Sequence, residues 1–207
     1  MFKGTPEIIT QRREEIVNAC EQLYQTMSFK DITLKEISNV TSFSRPTIYN
    51  YFHTKEEIFL ALYEREYDRW NADLEEILGS DRKYSGEQLA ELIAKSLEKR
   101  AQLLKLLSMN NFDMEENSRE ELLASFKRAY GKSLDLFRAI LKKYCSGMSE
   151  AEVEQIMYVF FPFMFGIYPY AEVTAKQKAA MTEAEVDYKY LSIYEITYNC
   201  LIRLLNY

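Results

Sequence analysis

Residues 33–55 read Thr-Leu-Lys-Glu-Ile-Ser-Asn-Val-Thr-Ser-Phe-Ser-Arg-Pro-Thr-Ile-Tyr-Asn-Tyr-Phe-His-Thr-Lys. Thr33 stands three residues before Glu36, the spacing at which a hydroxyl and a carboxylate satisfy each other's free backbone N–H groups at a helix start. A short break follows, and then Ser44 and Pro46 supply a second start, because a proline in the first turn gives up no needed donor. A capped helix, a three-residue turn and another short helix make a helix-turn-helix spacing. At about 100° per residue Ile48 and Phe52 share one side of the second helix and anchor it. Thr47, Tyr49 and Asn50 lie on the other faces, with Arg45 at the N-terminal edge.

That free side carries no acid. From Thr41 to Lys55 the formal charges are Arg45 and Lys55, both positive, in a chain with 26 Lys+Arg against 32 Asp+Glu and a net charge of −6. The overall sign is wrong for a protein that coats polyanions by bulk electrostatics, so any nucleic-acid site has to be local. Amide, hydroxyl and guanidinium groups on a short helix are the groups that read base edges and hold phosphates. Lys35 and Lys55, each at a helix start, are placed to grip the DNA backbone. Helix-turn-helix spacing alone also occurs in proteins that bind no DNA.

Outward from this stretch the same start pattern recurs at Thr54…Glu57, Ser85…Gln88, Ser118…Glu121, Ser149…Glu152 and Thr182…Glu185, and Thr5-Pro6 adds a first start. The series predicts helices over 5–27, 33–40, 44–51, 54–78, 85–99, 101–109, 118–145, 149–171 and 183–206. In the first, Ile16, Cys20, Leu23 and Met27 recur at helical spacing, as do Leu34, Ile37 and Val40 in the second. Six Gly and four Pro in 207 residues supply few tight turns for a many-stranded sheet. The expected fold class is all-α, with a three-helix head at 1–53 and a larger helical domain at 54–207.

At these residues the chain resembles a known family. The run Leu34-Lys35-Glu36-Ile37, then Ser44 through Ile58, is similar to the DNA-binding signature of TetR-family transcriptional regulators, in which a Thr-x-x-x-Ile-Ala segment precedes Gly-Val-Ser and a Thr-Leu/Ile-Tyr-x-Tyr/His-Phe-x-x-Lys-Glu-x-Leu stretch. The resemblance covers about residues 8–62. It implies that Arg45, Pro46, Thr47 and Asn50 face bases, that Tyr49, Tyr51 and Lys55 hold phosphates, and that Thr33 and Lys35 contact DNA at the mouth of the preceding helix. It implies further a homodimer on a palindromic double-stranded operator, and a C-terminal domain that dimerises and holds a small-molecule effector. Two residues depart from the pattern. Ser42 stands at the turn glycine, where a left-handed backbone strains a serine, and Ser38 replaces an alanine.

The remainder is expected to serve dimerisation and effector binding. Residues 156–171 carry no charge and are apolar on every face, which requires cover on all sides. Sixteen residues interrupted by Pro162, Gly166 and Pro169 fall short of the ~20 of a membrane span, so burial between subunits is the expectation, with no membrane partner. Phe161, Phe165, Tyr194, Tyr198, Leu201 and Leu205 are the candidate dimer residues. Met109, Asn111, Phe112, Phe126, Tyr130 and Phe163 are the candidate walls of an apolar effector pocket. The expected activity is ligand-gated repression by a hydrophobic or aromatic effector; the alternative is a helical dimer that organises DNA or docks a protein. One histidine, His53, three scattered cysteines and no nucleophile–base set or Gly-rich phosphate loop point to no enzyme, no cofactor and no metal. Without a secretory leader pattern at the start, a reducing cytoplasm is the expected location.

Overall fold

In the computed structural model, which describes residues 5–109 and 111–205, the chain is built from helices alone among the described residues. They are α1 (Pro6–Thr26), α2 (Leu34–Asn39), α3 (Arg45–Ile48), α4 (Lys55–Gly79), α5 (Gly86–Glu98), α6 (Ala101–Leu107), α7 (Asn111–Glu116), α8 (Glu120–Tyr144), α9 (Glu150–Ala171), α10 (Ala175–Glu183) and α11 (Ile193–Leu205). The all-α class is as the cap series predicts.

Most starts form as read. Thr5 caps α1, the Thr33 hydroxyl accepts from Lys35 and Glu36, and full reciprocal capping boxes form at Ser85/Gln88 and Ser149/Glu152. Three do not. The Ser44 hydroxyl meets the Thr47 hydroxyl rather than a backbone N–H. The Ser118 hydroxyl is buried without a hydrogen bond, and the first turn of α8 closes onto the Arg119 carbonyl instead. Thr182 belongs to the end of α10, where its hydroxyl bonds back to the Lys178 carbonyl and Glu185 takes a left-handed φ of 54°. The last helix therefore starts ten residues later than 183, behind Ser192, whose N–H and hydroxyl exchange bonds with Glu195. Helices α7 and α10 occupy stretches expected to be connectors.

The chain divides into two compact units, Met1–Arg65 with Asn110–Arg128, and Glu66–Met109 with Ala129–Tyr207. The division falls inside α4 and inside α8. The first unit thus takes in a segment, 110–128, far downstream of the expected boundary at 53.

In the first unit α2 packs against both α1 and α3. Ile16, Cys20 and Tyr24 of α1, Ile32, Ile37 of α2, and Ile48 and Phe52 form its core, with Phe59 meeting Tyr24 and Phe29 edge-on at 5.1 and 4.8 Å. Val40, expected on the inner face of α2, is the exposed residue that ends it. Fully burying a side chain such as Ile48 contributes about 1.5–3 kcal/mol, which outweighs the weak propensity of a four-residue helix.

In the second unit α11 lies along α5 and touches α9, and α6 packs on α9. Its centre is a run of rings. Tyr67 and Trp70 of α4, Tyr130 and Phe137 of α8, and Phe160 and Phe161 of α9 meet at centroid distances from 4.9 to 6.5 Å. Asn71 lies in the same α4–α8 seam, donating to the Ala129 carbonyl and accepting from Ser133. Helix α9 runs through Pro162 and Pro169, both exposed, where a missing backbone N–H is least disruptive. Among the described residues no single helix is long and apolar enough to cross a membrane.

Candidate nucleic-acid interface

The recognition segment begins with α3 and continues in tight turns, with Asn50, Tyr51 and Phe52 donating to carbonyls of Thr47 and Ile48. Ile48 and Phe52 are fully buried, so the segment has one rotational setting on α1 and α2. Arg45, Pro46, Tyr49 and Asn50 are left exposed and Thr47 half-buried. Arg45 donates to the Tyr49 hydroxyl at 2.9 Å with its guanidinium 5.7 Å from that ring, so the two side chains lie together one helical turn apart. On α2 Thr33 and Lys35 are exposed.

The turn before this segment is not left-handed. Ser42 has an ordinary backbone, since Glu185 has the only positive φ among the described residues, and its N–H donates to the Glu15 carboxylate of α1. The strain expected from replacing glycine is therefore absent: the turn is held by a side-chain acceptor instead.

Two of the expected phosphate contacts are committed elsewhere. Tyr51 is only 4% exposed and is part of the core, its hydroxyl 3.5 Å from an Arg12 nitrogen. Lys55 donates to the Phe29 carbonyl at 2.8 Å and sits 4.1 Å above that ring. We therefore expect Lys35→Ala to weaken binding to all sequences alike and to reduce the salt slope by about 1 per protomer. Lys55→Ala should lower thermal stability and leave the slope intact. Titrating binding against salt for both variants separates these outcomes.

Behind the segment lies a buried carboxylate. Glu57, on the first turn of α4, is 1% exposed. It accepts from the His53 N–H (2.6 Å), from the Arg119 N–H (3.2 Å) and from Arg119 Nε and Nη2 (2.7 and 2.9 Å). Burial acts to raise its pKa, and the bonds from Arg119 and the two backbone N–H groups outweigh this, leaving it below the ordinary carboxylate value. Arg119 also donates to the Tyr51 carbonyl at 3.1 Å, and Arg13 of α1 reaches the same oxygen at 3.5 Å while lying 4.5 Å from the Phe52 ring. None of Arg13, Glu57 or Arg119 stands out in the sequence as a site residue. Glu57 carries the spacing of a capping residue, and 62 positions separate it from its partner.

The expected effector residues fall in both units, and the expected dimer residues differ in exposure. Phe126 belongs to the first unit, where its ring meets that of Tyr63 at a tilt, 4.8 Å between centroids, whereas Tyr130 and Phe163 belong to the second. Phe112 is 78% exposed, Met109 is half-buried at the end of α6, and the Asn111 side chain lies outside the described residues. Phe161, Leu201 and Leu205 are core of the second unit, each less than a tenth exposed, so they do not present a surface to another subunit. Phe165 is exposed, on the same stripe of α9 as the exposed Tyr158, Pro162 and Pro169. Tyr194 and Tyr198 stack on each other at 5.8 Å, half-exposed.

Residues 16–62 match the family described as bacterial regulatory proteins, tetR family, and residues 64–192 match the family of tetracyclin repressor-like C-terminal domains. The chain belongs to the tetR family of transcriptional regulators. The tetR match covers α2, α3 and the start of α4, the elements that set out the exposed face. The tetR-family fold is shared along nearly the whole chain with the fatty acid degradation regulator FadR from Bacillus halodurans, at 16% identity and a TM-score of 0.60, over 99% of this chain and 97% of that one. FadR from Bacillus subtilis, solved with stearoyl-CoA, gives 16% and 0.60 over 93% and 97%. Thermus thermophilus FadR, a TetR-family repressor solved with lauroyl-CoA, gives 20% and 0.57 over 93% of each chain. Comparison with curated proteins yields no match.

Proposed function

We propose that this regulator is a repressor that binds a palindromic operator as a homodimer and leaves it when a hydrophobic effector binds. The observation that carries the reading is the exposed, acid-free face of Arg45, Pro46, Thr47, Tyr49 and Asn50, set on an anchored helix. Arg45 and Asn50 are the base readers, with Tyr49, Thr33 and Lys35 on phosphates; Tyr51 and Lys55 support the helix from behind. The head is electrically neutral, with six cations (Lys3, Arg12, Arg13, Lys30, Lys35, Arg45) and six anions (Glu7, Glu14, Glu15, Glu21, Asp31, Glu36) in residues 1–53. Weak non-specific binding follows, so a well-matched pair of half-sites read by two subunits supplies the affinity.

The dimer face is the uncharged stripe Tyr158, Pro162, Phe165 and Pro169 of α9, extended by Tyr194 and Tyr198. The effector site is the ring-lined seam of α4, α8 and α9, where Asn71 and Ser133, bonded to each other, are polar groups in otherwise apolar surroundings. The fold neighbours solved with stearoyl-CoA and lauroyl-CoA make acyl-CoA thioesters the first class to try. Binding of the protein to duplex DNA from upstream of its own gene, challenged with acyl-CoA of increasing chain length, free CoA and free fatty acids, tests the reading. Release by one ligand class is expected, with a coupling of ~1–3 kcal/mol or 5- to 150-fold in affinity. A protein that selects no DNA sequence refutes it; selection without release by any hydrophobic compound leaves a constitutive DNA binder.

A further inference from the structure

The tie between Glu57 and Arg119 joins four parts of the first unit at one point. Arg119 precedes α8, Glu57 opens α4, His53 lies in the link between α3 and α4, and the Tyr51 carbonyl closes the recognition segment. Around it the same two stretches meet repeatedly. Thr54 donates to the Asn117 carbonyl at 2.9 Å, Ser125 donates to Glu64 at 2.7 Å, and the Tyr63 and Phe126 rings meet at a tilt, 4.8 Å between centroids. Residues 117–126 are thus fastened along the first three turns of α4.

The chemistry of the tie is specific. A guanidinium presents its donors in a fixed planar fork, so satisfying the Glu57 carboxylate and the Tyr51 carbonyl together fixes direction as well as distance. The carboxylate in turn holds the His53 N–H, three residues beyond Asn50. Neither end can move along α4 without leaving a buried charge unpaired, which is costly. Burial of Ile48 and Phe52 sets the rotation of the recognition segment, and with only four residues in α3 its closing end is held by the bonds to the Tyr51 carbonyl and the His53 N–H.

We propose that Glu57 and Arg119 are positioning residues for sequence-specific DNA recognition, setting the angle of the recognition segment from the N-terminal end of α8. This rests on the operator-reading role above. The pair touches no base; it acts through Tyr51 and His53 on Asn50 and Arg45.

The test uses the full-length protein and a duplex selected from random DNA by the wild type, with a scrambled duplex as control. In Glu57→Gln and Arg119→Gln, measured well below their melting temperatures, the operator-to-scrambled affinity ratio is expected to fall ~10-fold or more, the equivalent of losing a base contact per half-site. Scrambled-DNA affinity and the salt slope should stay at wild-type values, because the phosphate-binding side chains are untouched. Arg119→Lys, which keeps the charge and loses the fork, should recover part of the ratio. A role in stability alone lowers the melting temperature and leaves the ratio unchanged, and that result in folded variants overturns the proposal. Should both glutamine variants fail to fold, Thr54→Ala and Arg119→Lys decide in their place: an unchanged ratio in both overturns it. Failure of the wild type to select any sequence removes the operator reading, and this inference with it.

Discussion

Replacing both Arg45 and Asn50 with alanine is expected to abolish discrimination between operator and random DNA while leaving the protein folded. Both side chains are exposed, and neither contributes to the core formed by Ile48, Phe52 and the inner faces of α1 and α2. An arginine paired with guanine or an asparagine paired with adenine is worth ~1–3 kcal/mol of discrimination against a wrong base, so the two together remove ~2–6 kcal/mol per half-site. Two half-sites double the loss. Non-specific affinity should fall by much less, because one cation per head is removed and Lys35 remains. The contrast with a Lys35 variant is the useful one, since that variant weakens both kinds of DNA equally. Competition binding with operator and scrambled duplexes at two salt concentrations measures all three. A double variant that keeps its preference for operator places the base readers elsewhere.

How much of this was legible beforehand follows the range of the interactions. Thr33, Ser85 and Ser149 are caps within three residues of their partners, and the motif identifies them. The same motif misleads at Ser118 and Thr182, because a hydroxyl three residues before a carboxylate has local competitors. Thr182 bonds back to Lys178 inside α10, and the helix start belongs to Ser192. In the recognition segment, residue-by-residue resemblance separates anchors from free side chains well at Ile48, Tyr49 and Asn50. It says nothing of the neighbours of Tyr51 and Lys55, which are Arg12 and Phe29 from distant turns. The Glu57–Arg119 tie lies beyond any pattern, since a carboxylate at a capping position looks complete without a partner 62 residues away. An apolar stretch needs cover, but which face of α9 its own chain covers depends on α4 and α8, and so Phe161 is buried and Phe165, four residues on, is exposed.

That divergence leads to the second large effect. Phe161→Ala should cost ~3–5 kcal/mol of stability, the usual range for removing a buried aromatic ring. For a chain of this size, that lowers the melting temperature by ~6–20 °C at ~2–4 °C per kcal/mol. The ring lies within 6.2 Å of Trp70, Tyr130, Phe137 and Phe160, which interlock on all sides and cannot close the gap without leaving their own contacts. Subunit association should survive at temperatures where the variant is folded. Phe165→Glu should do the reverse, keeping the fold and yielding monomers in sedimentation, because its cost is a charge buried against a partner rather than a cavity. If the ring-lined seam is also where an acyl chain enters, the cavity left in Phe161→Ala lies on its path, and a hydrophobic effector should restore part of the lost stability. At a hundredfold excess over its dissociation constant a ligand that binds only the native state contributes ~2.7 kcal/mol, most of the lower estimate of the damage. A matching compound that stabilises the wild type but gives Phe161→Ala no greater protection would place the effector outside this seam, and would leave the rings as core alone.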